Sequence, residues 1–405
     1  MSQAATIPMQ FRRTPFDPDD ELTRRRVEAP VSLVESPMGP IRFPAWLITR
    51  YEDVRAVLGD ATTFNNSGEA VRTQVKAIAG AEAAERLPLG AQTSLIGCDP
   101  PDHTWLRRLV APRFTVKRML ELRPRIEAIV TEHLDAMAER GTPADLVHEF
   151  ALPVPSLVIC ELLGVPYEDR AEFQRRSRQQ LNLEIDAAQR TAAFDESRAY
   201  MAELVRRQRV QRSDSMLGTL VHEHGHELSD EDLAGLGSLL LIAGHETTAN
   251  MLGLGTLLLL RHPDQLALLR DDPGIADRAV EELMRYLSIV HNGVVRTATR
   301  DVTIGGKSIK AGEAVVCSLV SANRDQAVIG DPDVLDLTRR PTSHVAFGHG
   351  VHHCLGAPLA RLEMRAAFPA LLRRFPTLRL AVPFEEVRFR TLSIVYGVWS
   401  LPVTW

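Results

Sequence analysis

Apolar residues recur at three- and four-residue intervals through most of the stretch from about Pro101 to Tyr286, as in Pro124–Met137 and Ala192–Arg207, and this period predicts amphipathic helices. Period-two patterns lie elsewhere. Ala45–Thr49 reads as a strand, and Val302–Ile309 as a hairpin turning on Gly305-Gly306, followed by a strand over Glu313–Cys317. Short strands are again predicted from Leu378 onward. No internal repeat and no low-complexity linker interrupts the chain, so residues 1–405 read as a single domain. Its fold class is mainly α, a helix-rich body with small peripheral sheets, the β-rich portions lying at about 30–50, 295–318 and 378–405. Strands and helices do not alternate as they would around a parallel sheet.

One helix is predicted to exceed the rest. It opens on Ser229-Asp-Glu-Asp232, a serine cap with an acid three residues on, and runs to about Leu260, roughly 45 Å at 1.5 Å per residue. Its middle reads Leu239-Leu-Leu-Ile-Ala-Gly-His-Glu-Thr-Thr-Ala-Asn250. The apolar runs on either side of His245, Glu246 and Asn250 are each too short for a membrane span, so a core-crossing helix is expected. An acid inside such a helix must be paired, protonated or functional. Thr247 follows it, and Ala243-Gly244 one turn earlier removes bulk on the adjoining face, where a flat ligand could approach the backbone. Acid beside alcohol beside a gap suits proton delivery. A satisfied buried acid with a threonine bonded to the preceding turn explains the same residues equally well.

Composition narrows the class. With 45% hydrophobic and 24% charged residues the chain can bury a substantial core, and with aromatics at 5% that core must be largely aliphatic. A net charge of −5 excludes a globally basic nucleic-acid binder. Cys98, Cys160, Cys317 and Cys354 stand far apart with no C-x-x-C pair, which fits a reducing interior rather than a disulfide framework. Met1–Pro30 is polar and carries Arg12, Arg13 and Arg24–Arg26, without the apolar stretch of a signal or anchor, so a cytoplasmic protein is expected.

Cys354 has a distinctive setting: Phe347-Gly-His-Gly-Val-His-His-Cys-Leu-Gly356, leading into a helix with Leu359, Leu362 and Ala366. The glycines permit tight bends whose N–H groups can face a sulfur, and a cysteine near a helix start is favoured as thiolate. Thiolate is the electron-donating axial ligand of oxygen-activating haem. A zinc or non-haem iron site is the competing reading, since His349, His352, His353 and Cys354 lie within six positions, and His222, His224 and His226 form a second cluster. Neither has the usual paired-ligand spacing, and the second falls in what reads as an exposed polar loop. Glu282-Leu-Met-Arg285 is an acid–base pair of a kind common on surfaces, but Leu283, Met284 and Leu287 around it make a buried lock plausible.

Taken in order, Ala243-Gly-His-Glu-Thr-Thr248, Glu282-x-x-Arg285 and Phe347-Gly-x-Gly-x-His-x-Cys-Leu-Gly356 form a set that resembles the cytochrome P-450 superfamily. Asp99-Pro-Pro-Asp-His103, Arg296-x-Ala298 before Asp301, and Ala322-Asn-Arg-Asp325 extend the likeness, which runs from about residue 30 to the C-terminus and is nearest to soluble actinomycete enzymes. The resemblance implies haem b with Cys354 as its iron ligand. Glu246 and Thr247 would relay protons on the opposite side of the haem. His103, Arg107, Arg296 and His352 would bind the propionates, for which charge-assisted bonds are apt. Ala243, Phe347 and Gly356 would line the cofactor, Phe347 shielding the sulfur. Glu282 and Arg285 would form the lock, extended by Arg339. Substrate would meet Leu95 in the loop before Cys98, Leu239, Leu240, Ala243, Val290, Asn292 and Ile394. These positions are mostly apolar and imply a sizeable hydrophobic molecule such as a terpenoid, polyketide or steroid-like compound.

No flavin or nicotinamide domain fits in the chain, so electrons must come from a separate protein. Arg107, Arg108, Arg113, Lys117 and Arg118 fall in a window without acids, and Arg361 and Arg365 follow Cys354. Such a basic patch would steer an acidic ferredoxin, itself served by a reductase, although a merely solvated basic face has the same appearance. Trp105 departs from the family, many of whose members carry a basic residue there, and this leaves donor preference open. The expected reaction is hydroxylation or epoxidation with O2. Peroxide-driven or non-redox haem chemistry, and a non-catalytic haem or ligand carrier, are the alternatives.

Overall fold

The computed structural model describes residues 8–38, 41–66, 68, 71–73, 76–77, 80 and 95–405. Two compact units are built from interleaved segments: one from Met1–Leu106, Val290–Val334 and Ser343–Cys354, the other from Arg107–Ile289, Leu335–Thr342 and Leu355–Trp405.

The first unit carries the main sheet. Helix α1 (Asp20–Glu28) precedes strands β1 (Val31–Met38) and β2 (Ile41–Ile48), and α2 (Tyr51–Gly59) leads to β3 (Phe64–Asn65). Later in the chain come β4 (Val294–Ala298), β5 (Val302–Ile304), β6 (Lys307–Ile309) and β7 (Ala314–Cys317). The sheet order is β1-β2-β7-β4-β3, with β7 parallel to β2 and the other neighbours antiparallel. Side chains alternate between the faces of a strand. On β2 and β7, Phe43, Ala45, Leu47, Ala314 and Val316 pack with Leu22 and Val71 on one side, while Ile48, Val315 and Cys317 pack with Tyr51, Val54 and Leu58 of α2 on the other. Both faces being covered, the β7 sequence is apolar at every position. The hairpin forms as expected: β5 and β6 pair across Gly305 and Gly306, whose φ angles of 52° and 76° suit the primed turn that matches strand twist.

The second unit is helical. Its elements include α4 (Val116–Arg140), α5 (Pro153–Leu163), α6 (Arg170–Leu181), α7 (Ala187–Val210), α8 (Met216–His224), α9 (Asp230–Arg261), α10 (Pro263–Asp271), α11 (Ala276–Leu287) and α12 (Ala357–Arg374); α3 (Asp102–Val110) enters it from the first unit's segment. The long helix, α9, begins at the predicted cap, where Ser229 accepts from the Asp232 N–H and Asp232 accepts from the Ser229 N–H. From Thr248 to Leu259 it is buried all round. Burying one leucine is worth about 1.5–3 kcal/mol, so Leu252, Leu254 and Leu257–Leu259 set its position far more than helix propensity does. Gly255 faces the ring of Phe368 on α12 so closely that a Cβ there would lie 2.7 Å from it.

Two expectations need correction. His222 and His224 do not lie in a loop but on α8, because Ser215 caps that helix and Met216, Leu217, Leu220 and Val221 bury one face of it. The polar end of a short helix mimics a loop in sequence. The C-terminal segment is less regular than predicted: beyond Leu378 the strands are Arg379–Leu380 and Pro402–Thr404, with isolated bridges Asn182 to Ser393 and Phe389 to Val398. Side chains take the place of a ladder there, Asp145 accepting both the Leu401 N–H and the Ser400 hydroxyl. No helix of the described residues is long and apolar enough to cross a membrane.

Candidate functional site

In the first unit the cysteine segment is a tight loop. Gly348 and Gly350 both have φ near 73°, a region that side chains other than glycine avoid. A Cβ on Gly350 would also collide with the Leu58 carbonyl of α2. The loop closes through Gly348 N–H to Val345 O (2.8 Å), His353 N–H to Gly350 O (3.0 Å) and Cys354 N–H to Phe347 O (2.9 Å). Cys98, Cys160 and Cys317 are buried and Cys354 is exposed. Burial pushes the other three thiols up, to about 11 for Cys98 and about 12 for Cys160 and Cys317, so they stay protonated and are poor ligands.

The same unit gathers polar groups around the loop. The rings of His103 and His352 lie 4.1 Å apart, and His103 is buried. Asn66, absent from the sequence reading, ties these motifs together: its side-chain nitrogen is 2.9 Å from His352 Nε2, and its N–H donates to Asp99 at 2.8 Å. Arg296 on β4 is only 7% exposed, and burial pulls its pKa down, with Cys317 and Asp99 acting weakly the other way. Its guanidinium donates to Val295 O at 2.8 Å and forms no ion pair with a described residue. A buried cation without its carboxylate is costly. An anionic group supplied from outside the chain, as a propionate would be, answers that need. Leu95 is buried, while Val290 and Asn292 are half-buried. Val290 packs against the α2 side of the sheet. The rest of the loop leading to Leu95, residues 81–94, lies outside the described residues.

The second unit holds the acid–alcohol pair. Thr247 Oγ1 donates to Ala243 O at 2.8 Å. Glu246 is 1% exposed, and its Oε2 accepts from Arg390 at 3.0 Å. Arg390 also donates to Asn250 Oδ1 at 3.2 Å and lies under the Trp399 ring, 4.7 Å from its centre. Asn250 Nδ2 donates to Glu246 O at 2.6 Å. His245 is fully buried, its pKa lowered by that burial, and its Nε2 lies 3.8 Å from Glu246 Oε1. Arg390 had no signal in the sequence: the burial of Glu246 calls for a cation, but nothing local says that it comes from 144 positions away.

Ala243 is exposed, Leu239 and Ile394 are half-buried, and Leu240 is buried. Gly356 directly precedes α12, and Arg107 lies on α3. The Glu282–Arg285 pair is buried and doubly bonded, at 2.7 and 2.8 Å. Arg339 reaches the same carboxylate at 3.2 Å, and the Asp336 N–H reaches it at 3.1 Å. Among the basic positions Arg108 and Lys117 are exposed and Arg113 half-buried, whereas Arg118 pairs with Glu121. Arg361 donates twice to Glu281, and Arg365 pairs with Asp277, so both charges are offset on α11. Among the described residues no three His, Cys, Asp or Glu side chains come together to hold a metal ion, including those of the His222–His226 cluster.

Comparison with known proteins names what this arrangement belongs to. A family model described as Cytochrome P450 matches residues 274–383. Cytochrome P450-SU2 of Streptomyces griseolus is 49% identical over 96% of this chain and 94% of its own length. The structure of CYP105P1 in complex with filipin I matches with a TM-score of 0.90 at 44% identity, covering 100% of this chain and 99% of that one. That of the mycinamicin VIII C21 methyl hydroxylase MycCI from Micromonospora griseorubida, bound to mycinamicin VIII, matches with a TM-score of 0.86 at 37% identity, covering 97% and 98%. The chain belongs to the cytochrome P450 family, and it is an enzyme of the monooxygenase type. Membership implies haem.

Proposed function

We propose that this chain is a haem-thiolate monooxygenase that hydroxylates or epoxidises a sizeable hydrophobic small molecule, working in the cytoplasm with electrons from a ferredoxin and its reductase. The observation that carries the reading is Cys354: the exposed cysteine of the four, in a glycine-bent loop, in a chain of the P450 family. Haem bound through a thiolate supplies the activation of O2 from which one oxygen atom is inserted. In this reading Cys354 holds the iron and Phe347 covers the sulfur. His103, Arg107, Arg296 and His352 hold the propionates, for which the buried guanidinium of Arg296, which has no ion-pair partner among the described residues, gives the strongest support. Gly356 and Ala243 leave room for the flat cofactor. Glu246 accepts and releases a proton, and Thr247 passes it on through its hydroxyl. The Glu282–Arg285 pair with Arg339 stiffens the fold.

The substrate class rests on the mostly apolar character of Leu95, Leu239, Leu240, Ala243, Val290 and Ile394, with Asn292 as a polar contact. Terpenoids, polyketides and steroid-like compounds are the candidates. Two similar structures hold filipin I and mycinamicin VIII, and one of these proteins is named as a methyl hydroxylase. Arg108, Arg113 and Lys117 supply the surface for an acidic ferredoxin.

The test is a screen of apolar compounds for those that shift the spin state of the ferric enzyme. Turnover with ferredoxin, reductase and labelled O2 follows. The reading expects substrate-dependent NAD(P)H consumption and a product carrying one labelled oxygen. Binding without consumption or product for every compound that shifts the spin state would overturn it in favour of a carrier.

A further inference from the structure

The face that α6 turns inward is polar where a core helix is normally apolar. Its buried positions are Phe173, Arg176, Ser177 and Gln180, a stripe at three- and four-residue spacing in which Phe173 alone is apolar. Gln180 is satisfied, its side-chain nitrogen donating to Ala193 O at 2.8 Å and to Ser197 Oγ at 2.5 Å. Arg176 is not. It is 7% exposed, and its Nε and Nη2 are buried with no hydrogen-bond partner among the described residues. Glu172 comes only within 3.9 Å of the remaining nitrogen, Nη1, and that carboxylate is 63% exposed, so it offsets the buried charge weakly. The Tyr200 ring, its centre 5.0 Å from the guanidinium carbon, adds a cation–π contact but no acceptor in hydrogen-bond reach of Nε or Nη2. A buried cation left in this state is costly.

Arg176 borders a small cavity between α6, α7 and α9, whose other polar lining is Ser177, Gln180, Ser197, Tyr200 and Ser238. None of the described residues lining it is acidic. Tyr200 gives its hydroxyl hydrogen to Asp169 at 2.8 Å, whereas Ser197, already an acceptor from Gln180, has its own hydrogen to give. The lining therefore offers a cation and a hydroxyl donor and lacks a negatively charged acceptor. The free space, about 10 Å³, takes about one sphere of water's size. A monatomic ion fits there, and an organic substrate does not. We propose that this cavity is a site for one small monovalent anion, chloride, held by Nε and Nη2 of Arg176 and by the Ser197 hydroxyl. Bound there, the anion offsets the guanidinium and ties α6 and α7 to α9. On α9, Ser238 directly precedes Leu239 and Leu240, the residues proposed to meet substrate. The site is independent of how the haem is held.

Bromide, an electron-rich stand-in for chloride, is the probe. Crystals of the full-length holoenzyme soaked in sodium bromide should show an anomalous peak in contact with Arg176 Nε and Nη2, and crystals of Arg176→Met should show none there. In solution, chloride is exchanged for gluconate at constant ionic strength and thermal melting is followed. A ligand that binds only the folded state raises the melting temperature with its concentration. The parent holoenzyme should show that rise with chloride and with bromide, and Arg176→Met should lose it. Ser197→Ala, which keeps the guanidinium, should raise the half-saturating chloride concentration about fivefold, the loss of one hydrogen bond. Should Arg176→Met fail to fold, the Ser197→Ala shift and the bromide peak in the parent still decide the matter. No anomalous peak at Arg176, with melting that responds to chloride equally in parent and variants, overturns the proposal and leaves a water in the cavity. A bromide peak without any chloride effect particular to the parent in solution is binding at crystal concentration only, and overturns it as well.

Discussion

The hydroxyl of Thr247 gives its hydrogen to the Ala243 carbonyl, the ordinary way for a threonine to sit in a helix, so the relay proposed for it requires that bond to be exchanged during turnover. Replacing it with alanine keeps the helix and removes the donor. Thr247→Ala is expected to lower product formed per NAD(P)H by about 10² while leaving NAD(P)H consumption substantial, as measured with ferredoxin and reductase. Glu363 makes a different case. It is fully buried and its pKa is pushed up to about 8 by burial, with Thr248 acting the other way. Unfolded, the carboxyl ionises near its ordinary 4.5; folded, it keeps its proton until about 8. The folded protein therefore binds the extra proton between those values, and stability falls as pH rises through that window. Glu363→Gln removes the titration, so its melting temperature relative to the parent should climb as pH is raised from about 5 to about 8. A difference that stays flat with pH would contradict the buried neutral acid. Sequence reasoning gave Glu246, Thr247 and Cys354 because each belongs to a local motif. Arg390, Asn66 and Glu363 were silent, because their meaning comes from partners far along the chain or from burial, and neither leaves a local pattern.

At the level of elements, the capping box at Ser229, the apolar run of β7 and the Gly-Gly hairpin could all be read directly, since each is a local backbone requirement written in residue types. The two misreadings, α8 and the C-terminal segment, are places where tertiary contacts decide. The lock on α11 illustrates why such contacts matter energetically. Breaking a buried ion pair by removing one partner leaves an uncompensated charge, worth about 3–5 kcal/mol. Arg285→Met leaves Glu282 its bond to Arg339 and should lose less than that in denaturant unfolding, and Glu282→Leu, which takes the shared carboxylate from both arginines, should lose more. Packing of α9 on α12 gives a second test. Gly255→Val would drive methyls into the Phe368 ring, and the overpacking should cost about 1–3 kcal/mol without changing the spectrum of the bound haem.

For the whole molecule, an acidic protein with local basic residues sets up a test of partner choice. Arg361 and Arg365 are offset by Glu281 and Asp277, so the proposed docking of a ferredoxin falls to Arg108, Arg113 and Lys117. Charge reversal at Arg108 and Lys117 should raise the KM for ferredoxin and weaken its salt dependence, while KM for substrate stays put. Charge reversal at Arg361 should act less on ferredoxin than on stability, through its bond to Glu281. The family and reaction type follow from end-to-end likeness to known P450s, and the proposed haem site rests on one sulfur. The reduced protein saturated with carbon monoxide tests that sulfur most directly. Thiolate ligation by Cys354 predicts a strongly red-shifted Soret band that is lost in Cys354→His, and an unshifted band in the parent protein would contradict the account.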